Sequence, residues 1–355
     1  MTPRPAMLHP KGYRPLDSWP LLETRHRVTS IKGMSSRRPS IDDLSLPPAL
    51  LEALRLFTAW SRERMLVEQN ESTPVSPLYH FTREEGLRGI LTGQRPWFFS
   101  HLQQSDKREF EYALGVASQV LREVGQTGDF LMDNFCACVD DMIETSGLAS
   151  PFEFYLLSLS SHRDHPPQWQ QYGDGGRGYA IGFAPSLFQP DRDELYDEAN
   201  KNLHMGRVIY GDAATAARHR LAIASAAEIT SRIGNAQPEL VRQAPCSHYL
   251  ATMARELLAS QLIWNCLTAK EQSFADERET RGVILNVRAK FDPYRQTFNG
   301  RNYVEHEMPL KGSGGIAEIL IGPHAPTGAE DRVRSLLNAE GYSSTIPVVR
   351  SAAVL

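Results

Sequence analysis

An α+β fold is predicted by three features of the chain. Apolar runs of strand length stand early, at Leu78–Phe81, 96–100, Phe152–Ser160 and Tyr179–Phe183, and again late, near 280–287, 303–309, 316–321 and 345–350. Segments whose apolar residues recur at steps of three and four lie between them, the mark of half-buried helices. The longest helical stretch, about 211–267, separates the two groups of strands and reads as a helical insertion. No internal repeat interrupts this order, and strands at both ends of one domain fit the α+β class.

The elements follow in turn. The first fifty residues hold eight prolines, and eight Lys and Arg against four Asp and Glu. Proline at that density denies the backbone regular hydrogen bonds, so residues 1–44 read as a mobile basic arm. Leu50, Leu51, Leu54, Phe57 and Trp60 keep helical spacing behind Pro47 and Pro48, which suit a first turn; a leading helix is expected within 45–72. The main domain is expected over 73–355. After the strand at Leu78–Phe81, Thr82 is expected to cap a helix, with Glu85 three residues on completing a capping box. Leu87, Ile90 and Leu91 form that helix's apolar face, and Gly93 stops it. Ser105 is expected to open the next helix, in which Phe110, Leu114, Ala117 and Leu121 repeat. Further helices are expected near 129–145 and 328–340.

Composition sets outer limits. Of 355 residues, 41% are hydrophobic and 23% charged, which excludes wholesale disorder and fibrous repeats. No run of about 18 apolar residues exists to span a membrane. With 38 Lys and Arg against 42 Asp and Glu, the net charge of -4 argues against a chain that binds nucleic acid throughout, leaving only a local patch. Cys136, Cys138, Cys246 and Cys266 are too few for a disulfide scaffold, and Cys136-Ala-Cys138 lacks the two-residue spacer of a zinc knuckle. Reduced, buried thiols and no bound metal are the expectation. The opening residues have no apolar core of a secretory signal, so a cytoplasmic location, or export by a non-Sec route, is expected.

Several motifs carry chemistry on paper. Gly173-Asp-Gly175-Gly-Arg-Gly178 matches the dinucleotide fingerprint literally, but that fingerprint works only between a strand and a helix N-terminus. Here a strand follows, so a flexible loop is the better reading. His162-Arg-Asp-His165 offers two metal ligands without a third at a telling distance, so a polar loop is expected. Neither the G-x-S-x-G elbow nor an H-E-x-x-H helix occurs. His80 lies mid-strand, where a hydrogen-bonded core histidine is the ordinary case. Glu277 and Glu279 flank Arg278 at the entrance to a strand, and in extended chain such alternate carboxylates project the same way. That is costly unless they are solvated, paired with Arg278 or Arg281, or used on a substrate.

Taken together, these segments resemble a known arrangement. Residues 77–95, PLYHFTREEGLRGILTGQR, resemble the opening of ADP-ribosyltransferase domains, where a strand carrying His leads into a helix; PWFFSHLQQSDKREFEYA is similar to the second strand and following helix. More specifically, the chain resembles a bacterial family still labelled as a domain of unknown function. The motifs are Leu78–Thr82, Ser100–Tyr112, Gln168–Phe183, Glu277–Arg281 and Ile319–Pro323, spread in order over about 77–350.

The resemblance implies an ADP-ribosyltransferase-like fold of split, mixed β-sheets with flanking helices. It implies NAD as substrate, with ADP-ribose passed to a macromolecular acceptor, protein or nucleic acid, as a toxin, effector or defence protein would do. Glu279 would stabilise the positive charge developing on the ribose as nicotinamide leaves, Glu277 would address the acceptor, and His80 would fix the pose of NAD. The family's middle tyrosine has no counterpart at Phe98-Phe99-Ser100, which leaves Ser100, Tyr112 or Tyr172 for that role. Thr82, Trp169 and Arg177 complete the implied NAD contacts. Two alternatives come from other classes: a nucleotide- or protein-binding module without turnover, and NAD hydrolysis.

Overall fold

The computed structural model describes residues 48, 51–52, 55–56, 59, 67–68, 71–103, 108–145, 147, 152–188, 203–243, 246–311 and 314–355, all within a unit spanning Leu46–Leu355. The proline-rich arm expected at 1–44 lies outside these residues. Those described between Pro48 and Ser72 are helical. The first strand, β1, is Leu78–Thr82, followed by α1 at Glu84–Gly93 and β2 at Trp97–Ser100. Helices α2 (Arg108–Val124) and α3 (Phe130–Glu144) precede the long strand β3, Phe152–Ser160. Short α4 (Pro166–Gln171) leads to β4 (Tyr179–Phe183), then to β5 (Leu203–Arg207) and β6 (Ile209–Tyr210). The helical stretch comprises α5 (Asp212–Ala236), α6 (Pro238–Gln243), α7 (Cys246–Met253) and α8 (Ala259–Leu267), with a π turn at Ala254–Leu258. Strands β7 (Ala269–Lys270) and β8 (Glu279–Val287), helix α9 (Arg288–Phe291), and strands β9 (Gln296–Phe298), β10 (Arg301–Glu305) and β11 (Ile316–Ile321) follow. Helix α10 (Ala329–Ala339) and β12 (Val348–Arg350) close the chain.

Strand β3 organises the sheet because both of its faces are apolar. Tyr155, Leu157 and Leu159 join the core under α1 and α10, which includes Leu87, Leu91, Val333 and Leu337. On the other face, Phe154 and Leu156 pack with Ile263, Trp264 and Leu267 of α8. A strand buried on both faces belongs in the middle of a sheet, and β3 lies inside a mixed ten-stranded one. One edge pairs with β8 along its whole length, from Phe152↔Val287 to Ser160↔Glu279. The other edge is divided: β2 pairs at Tyr155 and Leu156, and β1 only at Ser160. The backbone pairing is therefore interrupted, a notch in the sheet's ladder, at Leu157–Leu159, where two strands diverge from one edge.

Two local expectations need correction. Thr82 is not a helix cap; it closes β1 opposite Tyr179, and Arg83 precedes α1 without a side-chain cap bond. The helix ends on Gln94 in the left-handed region, one residue after Gly93. The segment Gly173–Gly178 is not the flexible loop expected either. Gly178 donates to the Gly173 carbonyl (2.8 Å), Gly322 to that of Gly178 (2.9 Å), and His324 to that of Gly176 (2.8 Å). A β-carbon on Gly178 would stand 2.3 Å from the Thr82 carbonyl oxygen. Gly178→Ala is accordingly expected to destabilise the fold by about 1–3 kcal/mol, read as a lowered urea midpoint; an unchanged midpoint would mean that this turn can move.

Candidate functional site

The entrance to β8 is built differently from an extended pair of glutamates. Glu277 ends a 3-10 turn, Arg278 takes a left-handed conformation (φ 45°), and Glu279 starts the strand. Lysine, rather than strand pleating, brings the two carboxylates together. Lys270, from β7, places its Nζ 2.6 Å from Glu277 Oε2, 2.8 Å from Glu279 Oε2 and 3.1 Å from Glu109 Oε1 on α2. Arg281 donates from Nε to Glu279 Oε1 (2.8 Å), from Nη2 to Glu109 Oε2 (2.6 Å), and from Nη1 to the Leu267 carbonyl (2.6 Å). Three carboxylates thus face two cations.

This is no solvated strand entrance. Lys270 and Arg281 are each 3% exposed, Glu279 4% and Glu277 9%, so the charges exist there because they satisfy one another. Burial alone would push the Glu279 carboxyl up, but Arg281 and Lys270 together hold it well below the usual carboxylate range. Glu277 goes the other way: burial raises it, with Lys270 only partly offsetting. The excess negative charge is therefore held least firmly at Glu277.

A pH dependence follows. In the unfolded chain Glu279 titrates near the ordinary glutamate value of about 4.3. Because its folded value is lower, its contribution is complete above that pH and is lost as pH falls below it. Urea midpoints measured from pH 6 down to pH 2.5 are expected to decline more steeply for the parent chain than for Glu279→Gln. Parallel curves would show that the cations do not hold this carboxyl.

Tyr172 is the accessible group beside the cluster. It is 40% exposed, and partial burial, with Lys270 opposing and Glu277, Glu279 and Glu109 adding to it, raises its pKa to about 12. Gln171 Nε2 donates to that hydroxyl at 3.0 Å. On the inner side, the Tyr210 hydroxyl accepts from the Glu279 amide (2.8 Å). Ser160 Oγ donates to the Glu277 carbonyl (2.7 Å), tying the end of β3 to the turn.

The other expected site residues are scattered. His80 is half-buried, its Nδ1 3.2 Å from the Ser158 carbonyl at the notch in β3, and burial holds the imidazole below its usual value. Tyr79, not His80, is level with Ser160 and Glu279, so strand alternation turns His80 to the opposite face. Ser100 donates to the buried Glu153 (3.0 Å), and the Tyr112 hydroxyl donates to Asp212 (2.8 Å). Trp169 is fully buried, set edge-on to Phe81 at 4.9 Å, with its indole donating to Asp164 (2.6 Å). Thr82 lies under the Gly173–Gly178 turn, with its carbonyl against Gly178 and its hydroxyl against Gly86. Arg177 is exposed and pairs with Asp174. All four cysteines are free, Cys136 and Cys266 buried and Cys138 and Cys246 half-buried; among the described residues no group of three or more His, Cys, Asp or Glu is placed to hold a metal. No described helix is long and apolar enough to cross a membrane.

Sequence reasoning missed Lys270 and Glu109. Glu109 lies inside the Ser100–Tyr112 motif, so a signal existed, although nothing in that segment names its partner. Lys270 stands alone between a helix end and a turn, with no pattern around it.

The segment bearing α4, Tyr172, Lys270, the two glutamates and Arg281 is also the one that comparison with known families picks out. A DUF2971 domain is found at residues 168–282. The family is described as a protein of unknown function. No curated protein and no solved structure matches the chain. The DUF2971 match begins at α4 and ends within β8, so it includes most of the ion cluster but leaves out Glu109, and with it His80, Ser100 and Tyr112.

Proposed function

We propose that the chain transfers ADP-ribose from NAD to a macromolecular acceptor. The observation that carries this reading is the divided edge of β3. Two strands leave it to form a notch with His80 at its rim, while its opposite edge carries β8, which begins at a buried carboxylate cluster. A gap between diverging strands with a carboxylate group behind it suits cleavage of a nicotinamide–ribose bond. Nicotinamide would depart with the bonding electron pair, and negative charge would stabilise the ribosyl cation until an acceptor atom attacks and sheds its proton. Tyr172, half-exposed beside the cluster, is the ring best placed to stack on nicotinamide. Glu279 supplies fixed negative charge toward the cation. Glu277, the carboxylate held least firmly, faces the acceptor.

The second reading, a nucleotide- or protein-binding module without turnover, has its own support. Glu279 is neutralised by two cations, and His80 is turned to the other face of the sheet from it. Incubating the purified chain with labelled NAD and cell lysate separates the two. Nicotinamide release with label on a macromolecule is expected, and Glu277→Gln should preserve release while reducing label transfer. NAD binding without release, in the presence of lysate, would establish the binding module. Release without transfer would identify hydrolysis.

A further inference from the structure

The loop after β3 forces two histidines together. Arg163 is held by Glu318 through two bonds, Nε to Oε1 (2.7 Å) and Nη2 to Oε2 (2.6 Å). Asp164 accepts from Trp169 Nε1, from Ser351 Oγ (2.5 Å) and from the Ala352 amide (3.0 Å). The two middle residues of His162-Arg-Asp-His165 are thus fixed by partners far away in sequence. The residues flanking them are fixed too: His162 donates its amide to Ser160 Oγ (3.0 Å), and the His165 carbonyl accepts from the Trp169 amide (3.1 Å). The imidazoles face each other with ring centroids 4.6 Å apart, tilted by 44°. Both Nδ1 atoms are buried without any hydrogen-bond partner, and His165 as a whole is only 9% exposed.

Orphaned nitrogens on two rigidly held, adjacent imidazoles call for an occupant. We propose that His162 and His165 form a chelating pair for a divalent cation of the zinc or copper(II) class, water filling the remaining positions. Imidazole nitrogen is the ligand these ions favour. Two nitrogens at about 2.0–2.1 Å from one tetrahedral ion stand about 3.4 Å apart, a spacing that rings this close can reach. Metal binding requires neutral imidazoles with a free nitrogen, and both Nδ1 atoms are left without a partner. No third His, Cys, Asp or Glu joins the pair among the described residues, so the ion is exchangeable rather than structural. It would also sit beside the candidate site: the charges that His165 feels are Asp276 and Arg278, the immediate neighbours of Glu277. The inference does not depend on NAD chemistry.

Titration of the full chain with zinc chloride, followed calorimetrically in a non-chelating buffer, tests it. One zinc site is expected, weakened at least about 10- to 100-fold by His162→Gln or His165→Gln, the loss that even outer partners of a metal ligand cause. The double variant His9→Ala/His26→Ala should bind zinc as the parent does. A second readout needs no substitution: in the ¹⁵N-histidine-labelled parent, substoichiometric copper(II) should broaden the ring signals of His162 and His165 first. No zinc site in the parent, parental affinity in both Gln variants, or broadening confined to other histidines would each overturn the proposal.

Discussion

Glu279→Gln is expected to lower stability by about 3–5 kcal/mol, because it takes from both buried cations the one fully buried carboxylate they share, and breaking a buried pair is costly. Lys270 and Arg281, each almost fully buried, would retain only Glu109 and Glu277 between them. Urea denaturation at pH 7 reads this directly. A change of under about 0.5 kcal/mol, the ordinary range for a surface position, would mean that the cluster is wetter than its geometry indicates. Stability alone does not separate the functional readings, since both require the ion group. Rate does: if Glu279 supports the ribosyl cation, nicotinamide release should fall about 100- to 1000-fold, the usual cost of one lost electrostatic partner, at a temperature where the variant is still folded. A folded variant with parental release would leave Glu279 a purely structural residue.

Trp169→Ala should cost about 3–5 kcal/mol, the range for truncating a large buried aromatic. The indole is fully enclosed; its edge-on contact with Phe81 disappears, and Asp164 loses one of its donors. The resemblance placed this residue against NAD, where substitution would impair ligand binding and spare the fold. The packing instead predicts a lower melting midpoint with or without NAD. Trp169→Phe, which keeps much of the volume but not the indole donor, should recover part of the loss. If Trp169→Ala melts like the parent yet fails to bind NAD, the indole is a ligand contact after all.

The strands that were readable from sequence share one physical property. Phe152–Ser160, Tyr179–Phe183 and Ile316–Ile321 are rich in apolar residues that the fold mostly buries, fully so in Tyr179–Phe183, and their limits follow that hydrophobicity. Leu203–Arg207 gave no such signal, because it offers only Leu203 and Met205 to the core between polar residues and a glycine, and full backbone pairing with β8 fixes the rest of it. Thr82 misled because a capping sequence competes with strand pairing, and here the partner Tyr179 prevails. The site was legible in halves. Glu277, Glu279 and Arg281 stand together in sequence and announced a paired group. Their counter-ion Lys270 and third carboxylate Glu109 come from elements that meet them only after folding, and single-sequence patterning holds no information about such meetings.

That dispersal bears on what can be cut out of the chain. The matched stretch 168–282 would cut β8 after Gly282, take the start of that strand away from its partners on β3, and leave Arg281 without Glu109. An excised piece with those boundaries would keep only the polar start of that strand and hold an arginine short of one of its two counter-ions. The matched stretch is thus embedded in the sheet rather than portable, and its borders mark where resemblance is detectable rather than where the molecule could be separated.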